Sequence, residues 1–511
     1  MKIFIPILLA DQLEKELSNK NRPLPYFKKD KLYYIISVVY SGYLINYFNE
    51  SDSVVHKYLS SQLLQKILGK KYNFYINFLI EKNILRRTSG FKTGINSFGY
   101  SLPNLEHYGH TGYTITDMVI KRKLQSHFRS KNNLFIKKNE HLTKDFKYLM
   151  FNQEMALKFC RRVSQIKSKS NSAKDLRLKY KEKVVEVLYK DPTQQDAYSK
   201  FIISNFVEKQ YRFKICTSNN RFNSILTLCP SVLRNFLSYK GQELVSIDLK
   251  NSQPYLLLIL FNPKVNEKMK KIFYSIYNSN NQTTNHYPFT LSKTTHNIDL
   301  QEFIKYKTLL SNGNFYPFFF EKLGFESKDY SSLKKHFKKC VFGTLYSRNS
   351  GRSQFIAPSE KLLSPDDGIN LEIPYGKVGV KTIMSREFPR IYRVIRDLKR
   401  ERYQNLALFL QRVESYLFLE VIIPLIREQN KAVPLFPVHD SIITTPEHLE
   451  FVLNTMSDVL EEYVGVTPSF SIEQLNIDKA EEYLGSLIER GRVLPKVISI
   501  GKQKECYGKA A

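Results

Sequence analysis

LFPVHDSIIT, residues 435–444, sets an ionisable pair and a hydroxyl between two apolar runs. Carried into a core on a continuous strand, His439, Asp440 and Ser441 would each need a polar partner, because an unpaired buried charge is costly. A hairpin avoids that cost. Leu435–Val438 reads as one strand, His439-Asp440-Ser441 as the turn and Ile442–Thr444 as the return, which lifts Asp440 out of the core where it can hold something.

The rest of the chain narrows what that is. At 511 residues and 60.0 kDa it is too long for a single core, and about two to four domains are expected. Its 42% hydrophobic content is that of a folded protein rather than a disordered one. Lys and Arg number 78 against 48 Asp and Glu, a net charge of +30. Part of this excess can be compositional, since richness in Lys, Asn, Ile, Tyr and Phe is what an AT-rich genome gives. Its size still points to a polyanionic partner, nucleic acid first. The five cysteines, at 160, 216, 229, 340 and 506, have no metal-ligand spacing and suggest no disulfide framework, which fits a reducing, cytoplasmic compartment. No apolar run reaches the ~20 residues of a membrane span. MKIFIPILLA, residues 1–10, is followed at once by Asp11 and Glu14 and reads as structure rather than a leader.

Residues 60–102 carry a local pattern. SSQLLQKILG offers a Ser cap, apolar residues at helical spacing and Gly69 as a stop, and YNFYINFLIEKN follows as a second amphipathic helix. ILRRTS and FGYSL then read as two short strands around the basic tip GFKTGIN. Helix, turn, helix and hairpin in this order resemble a winged helix-turn-helix DNA-binding domain. The resemblance implies phosphate contacts by Lys70, Lys71, Arg86, Arg87 and Lys92. A small helical subdomain that only packs or dimerises has the same pattern. Residues 111–215 read as largely helical and strongly basic, their charge runs forming solvated faces or gripping a duplex backbone. Residues 278–297 are polar and poor in apolar residues, and read as an inserted flexible loop.

Two further stretches stand in order before the hairpin. In ELVSIDLKNSQPYLLLILF, residues 243–261, an apolar strand ends on Asp248 and leads into a helix. In LKKHFKKCVFGTLYS, residues 333–347, Lys334 and Lys338 share one helix face with an aromatic residue a turn further on. Taken singly, the first is as readily a helix-capping aspartate and the second a basic amphipathic helix with buried aromatics.

Together the three resemble motifs A, B and C of the family A DNA polymerases and of the related phage-type single-subunit RNA polymerases. Motif A is a strand ending in Asp before a helix, matched by IDLKNSQP. Motif B reads Arg or Lys, three residues, Lys, three residues, Phe-Gly, two residues, Tyr. Lys334, Lys338, Phe342, Gly343 and Tyr346 fall on those positions. Motif C is an apolar hairpin bearing His-Asp, here His439-Asp440. NNRFNSILTLCP, residues 219–230, is similar to the family's Arg-containing segment at the primer–template. The resemblance covers about residues 218–480.

What the resemblance implies is a right-hand polymerase of α+β class, with an antiparallel palm sheet, helical fingers and thumb, and the winged helix in front. The expected order is an N-terminal segment over 1–30, the winged helix over 31–110 and a basic helical region with a thumb over 111–217. Palm follows over 218–330, fingers and linking helices over 331–430, and palm again over 431–511. Asp248, Asp440 and the carbonyl of Leu249 are expected to hold two Mg²⁺ ions, for which Mn²⁺ can substitute. Lys338, counted with the two aspartates as catalytic, and Lys334 would meet the triphosphate, with Phe342 and Tyr346 stacking on base and sugar. Gly343 would let the template approach, and Arg221, His439 and Gln411 would contact primer and template. Gln411 and Glu414-Ser415 lie in an otherwise apolar helix, and a structural polar network explains them equally well.

The match departs from the family at two places. The DNA polymerases carry Glu five residues after the motif A aspartate, which blocks the ribose 2′-hydroxyl, where this chain has Gln253. Motif C reads His-Asp-Ser, as in the phage-type RNA polymerases, rather than His-Asp-Glu. The expected function is template-directed nucleotidyl transfer by a DNA polymerase of a plasmid, phage or other mobile element. DNA primer–template, nucleoside triphosphates and replication accessory proteins would be its partners, with no membrane involved. An RNA polymerase or primase of the same fold stays open, as does a DNA-binding replication initiator with a degenerate core.

Overall fold

The computed structural model describes residues 1–18, 27–48, 56–90, 97–103, 109–169, 174–180, 183–188, 192–209, 211–262, 267–277, 300–322, 334, 338, 341–349, 380–492 and 497–499. The polar stretch 278–297, the tip residue Lys92 and Cys340 lie outside them. The described residues combine helices with small sheets that are antiparallel except for one pairing, an α+β arrangement.

A four-stranded antiparallel sheet positions the site. Its order is Phe436–Val438, Ser441–Thr444, Leu244–Leu249, Phe470–Leu475. The strand Leu244–Leu249 is central because it is apolar on both faces, with Leu244, Val245, Ile247 and Leu249 all buried. Pro437 cannot donate to a ladder and accordingly sits on an edge strand. The turn is shorter than the three residues expected from sequence. Ser441 already pairs with Val438, so His439 and Asp440 alone make the bend, with His439 at φ +57°. Two-residue connections that include a positive φ match the twist of antiparallel strands, which favours this tighter turn.

The helix Leu449–Val464 packs against the central strand, and a long helix from Gln404 to Gln429 packs against that helix. The latter widens to π geometry over Tyr416–Ile422, just before Pro424. Proline has no N–H for the i−4 carbonyl, and a wide turn accommodates that loss without breaking the helix. Sequence periodicity suggests two long helices over 384–427. Instead Val380–Glu387 and Pro389–Leu398 are separated at Phe388, where Pro389 starts a new helix, and the long helix follows.

Near the N-terminus, Ser60 caps Ser61–Leu68 by accepting the Leu63 N–H, and Gly69 ends that helix at φ +92°. The helix Tyr72–Glu81 follows, then the paired strands Arg86–Arg87 and Gly99–Ser101. A third strand, Lys57–Tyr58, pairs on the other side of Gly99–Ser101, and the helix Lys29–Phe48 precedes the whole group. Lys2–Pro6 is a strand paired with His110–Thr114 and runs directly into the helix Ile7–Ser18.

One expectation fails in the basic region. Residues 174–188, read with their neighbours as helical, form the antiparallel strands Lys174–Tyr180 and Lys183–Leu188. The sequence carries the reason. Leu176, Leu178 and Tyr180 alternate with charged residues, and Val184, Val185 and Val187 are β-branched, a period of two that the density of lysines conceals. The neighbouring stretches are helices, Met118–Lys138, Gln153–Lys169 and Pro192–Val207. No helix among the described residues is long and apolar enough to cross a membrane.

A buried ion pair fixes where the hairpin enters the core. Asp145 pairs with Arg427 Nη2 and accepts the Leu435 N–H at 3.0 Å, while Arg427 also donates to the carbonyls of Val433 and His141. Asp145→Ala would strand a buried guanidinium. It is expected to lower the unfolding free energy by about 3–5 kcal/mol in chemical denaturation. Lys158→Ala, which removes only an exposed pair with Glu154, should leave the midpoint unchanged.

Candidate active site

Antiparallel pairing brings the two aspartates together. Asp248 stands opposite Ser441, and the Leu249 N–H donates to the Asp440 carbonyl at 3.1 Å. Asp248 lies on the central strand and Asp440 at the tip of the neighbouring hairpin, so two acidic side chains meet at one end of the sheet. The Asp248 carboxylate opens to solvent, yet the surrounding protein walls partly desolvate it. That desolvation first, and Asp440 second, push its pKa up to about 7, with Lys338 and Arg234 pulling the other way. Asp440 is raised too, chiefly by burial, while its own backbone N–H, Arg221, Ser252 and Lys338 oppose the rise. Two adjacent carboxylates held above their ordinary range are short of positive charge.

Beyond Asp248 the chain turns sharply. Lys250 N–H donates to Ser469 at 2.8 Å and Asn251 takes φ +55°. This starts the buried helix Ser252–Leu256, which places Ser252 and Gln253 beside the aspartates. His439 is largely buried and its Nδ1 has no hydrogen-bond partner. Burial, with Arg221 and Arg234 nearby, pushes its pKa down to about 4, so the imidazole is neutral at pH 7.

Lys338 lies where its charge acts on both aspartates, and its Nζ sits 5.2 Å from the Tyr316 ring centre. Burial and Lys334 lower its pKa. Lys334 itself is exposed. One turn on, Phe342 and Tyr346 stack with ring centres 5.6 Å apart, and Gly343 lies between them in the chain.

The polar residues that looked out of place in an apolar helix belong to one network. Glu414 is 1% exposed. Arg221 Nη2 lies 2.7 Å from its Oε1 and donates to its Oε2 at 2.9 Å. Gln253 Nε2 donates to the same Oε2 at 2.5 Å, and Ser252 Oγ does so at 3.3 Å. Tyr346 hydroxyl donates to Gln253 Oε1 at 2.8 Å. Burial first and Asp440 second push Glu414 up to about 8, against the pull of Arg221 and Ser252. Asn219 Nδ2 donates to Gln411 Oε1 at 3.1 Å, and Ser415 Oγ to the Asn219 carbonyl at 3.2 Å.

Sequence reasoning therefore gathers Asp248, Asp440, His439, Lys338, Tyr346, Gln253 and Arg221 at one place. Arg221 and Gln411 make intramolecular bonds there, Ser441 turns its hydroxyl into the hairpin toward the Val438 carbonyl, and Leu249 presents its N–H to Asp440. Glu414, Tyr316 and Arg234 were not among the expected site residues. Only Glu414 left a signal, as an acid in an apolar helix. Lys70, Lys71, Arg86 and Arg87 lie apart, exposed around the N-terminal helix pair and its sheet, with the Arg87 guanidinium 4.8 Å over the Phe98 ring.

Among the described residues no group of three or more His, Cys, Asp or Glu side chains is clustered to hold a metal ion. A cation at Asp248 and Asp440 would need further oxygens from backbone, water or substrate.

No family model matches the chain, and no curated protein matches it. Among solved structures it is similar to the POL domain of Pol1 from M. smegmatis in complex with DNA primer-template and dNTP. The identity is 10%, the TM-score 0.27, and the match covers 71% of this chain and 74% of that one. A likeness at that level carries no weight, and function has to be read from the side chains described above.

Proposed function

We propose that the chain is a template-directed nucleotidyltransferase, a DNA polymerase of a mobile element, with its catalytic centre at Asp248 and Asp440. One observation carries this reading. A carboxylate on the central strand and one at the tip of the neighbouring hairpin are both raised, first by burial and for Asp248 also by Asp440, with the charge of Lys338 acting on both. As a purely structural pair they would be a liability, since each charge destabilises the other. As ligands they have a use, because a divalent cation removes the repulsion and hard oxygen donors suit Mg²⁺.

Asp248, Asp440 and the Leu249 carbonyl would hold the cations. Bound there, the ions would activate a primer 3′-hydroxyl and neutralise charge on the departing pyrophosphate. Lys338, as a compact cation beside the aspartates, would meet the triphosphate, with Lys334 one turn earlier. The stacked rings of Phe342 and Tyr346 offer a flat surface for a base, and Gly343 leaves room for the template strand. His439, neutral at pH 7, would steady the primer end without adding charge.

The N-terminal group reads as a winged helix. Helix, strand, two helices and a hairpin, with the first strand added to the hairpin, expose Lys70, Lys71, Arg86 and Arg87 together. With a net charge of +30, it supports a duplex-binding module that brings the catalytic part to DNA.

Extension of a labelled primer–template with Mg²⁺ and dNTPs tests the reading. Wild type should extend and Asp440→Ala should not, while both bind the DNA alike. Binding without extension by wild type would leave only a DNA-binding initiator. Relief of repulsion gives a second test. In chelator at pH 8, Asp248→Asn should melt higher than wild type by a few degrees, ~1 kcal/mol. The folded-state pKa of Asp248 is raised, so its charged form is what destabilises. The advantage of the variant must therefore shrink as pH falls through about 7 and wild type takes up its own proton. Lys70→Ala with Arg86→Ala should reduce the slope of log affinity against log salt by about 2 in fluorescence anisotropy, one for each phosphate no longer neutralised.

A further inference from the structure

The residue at the sugar-gate position is Gln253, where the resembled DNA polymerases carry Glu. Its surroundings place the missing carboxylate elsewhere. Glu414 reaches Gln253 from the long helix, 161 residues away in sequence, and Arg221 reaches Glu414 from the turn before Phe222–Asn223.

An amide side chain has one accepting and one donating end. The Tyr346 hydroxyl occupies the accepting end of Gln253, and Glu414 the donating end. Reversed, the amide would set its carbonyl against the Glu414 carboxylate and leave a buried acceptor facing an acceptor. Glu414 therefore decides which way Gln253 points, and Gln253 decides where the Tyr346 ring stands, stacked on Phe342 at 5.6 Å. The Arg221 guanidinium pulls Glu414 down, yet burial still holds its pKa up at about 8, so the orientation rests on Oε2, which already accepts from Arg221 and Ser252.

We propose that Glu414 is the positioning residue of a sugar gate. Paired with Arg221, it locks Gln253 against Tyr346 into a rigid wall that accepts deoxyribonucleotides and rejects ribonucleotides. This rests on the polymerase reading above. A 2′-hydroxyl brought to that wall meets an amide carbonyl already engaged by Tyr346, with no slack for it to turn. The hydroxyl loses its water without gaining a partner. The selectivity that Glu supplies alone at this position in the resembled family is here divided between Gln253 and Glu414.

Insertion of dCTP or CTP opposite a template guanine tests this, with kcat/KM for each nucleotide measured on the full chain. Glu414→Gln should reduce the dCTP preference by about tenfold or more, chiefly by lowering KM for CTP rather than kcat for dCTP. Tyr346→Phe, which removes only the hydroxyl, should move the preference the same way and keeps the test alive where Glu414→Gln fails to fold. Gln253→Glu alone sets two carboxylates face to face and should impair both nucleotides. Combined with Glu414→Gln it restores one carboxylate and one amide in exchanged places, and should return the preference to within about threefold of wild type. An unchanged preference in Glu414→Gln or in Tyr346→Phe overturns the gate. So does an exchange variant that folds and inserts dCTP without regaining the preference, because Glu414 would then be only structural. Wild type that inserts both nucleotides equally also overturns the gate while leaving the polymerase reading intact. Wild type that inserts neither removes the polymerase reading itself.

Discussion

The placing of Asp248 and Asp440 side by side, both partly withdrawn from water, is the constraint around which the described site is arranged. Antiparallel pairing of Leu244–Leu249 with Ser441–Thr444 leaves no freedom to separate them. A slip by one residue would turn Ile442 and Ile443 to the wrong faces along with the aspartates. The hairpin's depth is fixed by the buried Asp145–Arg427 pair, and its tip is closed by His439 in the left-handed region, which His enters more readily than most non-glycine residues. The apolar strands and the helix packed against them hold a destabilising pair of charges in place, and that is the usual signature of a site rather than of a scaffold.

The electrostatics run against the composition. A chain with thirty more positive than negative side chains gathers three acids, Asp248, Asp440 and Glu414, at its centre and sets Lys338, Arg221 and Arg234 around them. Each acid is raised above its ordinary pKa, so the surrounding cations do not neutralise the group. On the proposed reading the two signs serve different parts of one substrate. The outer lysines and arginines meet a phosphate backbone, and the acids meet the same polyanion only through bound cations.

Some of this was legible in the sequence because its cause is local. The hairpin at 436–444, the strand ending near Asp248 and the capped helix Ser61–Leu68 each follow from a short pattern with its own punctuation. Where the cause is long-range or masked by charge, the sequence misleads. The strands at 174–188 alternate apolar and polar residues beneath a run of lysines, and Lys57–Tyr58 is too short to announce itself. The wide turn at Tyr416–Ile422 follows from a proline that sequence alone would read as a helix end or kink. Glu414 was visible as an anomaly, but its meaning needed partners from three other segments, Arg221, Ser252-Gln253 and Tyr346.

Gln253 in place of Glu would, by itself, argue for a decayed site or a changed substrate. The space beside it contains a buried carboxylate with its own arginine, bonded directly to the departing residue. Burying that acid is costly unless it is paired, and here the hydrogen bonds fall on Oε2 while Oε1 has only the Arg221 ion pair. Arg221, Ser252 and Gln253 all donate to it. A chain that had lost the chemistry would be expected to replace such a network with apolar packing, which is cheaper and no less stable. On the proposed reading, the polar character of this wall beside the two aspartates has a use.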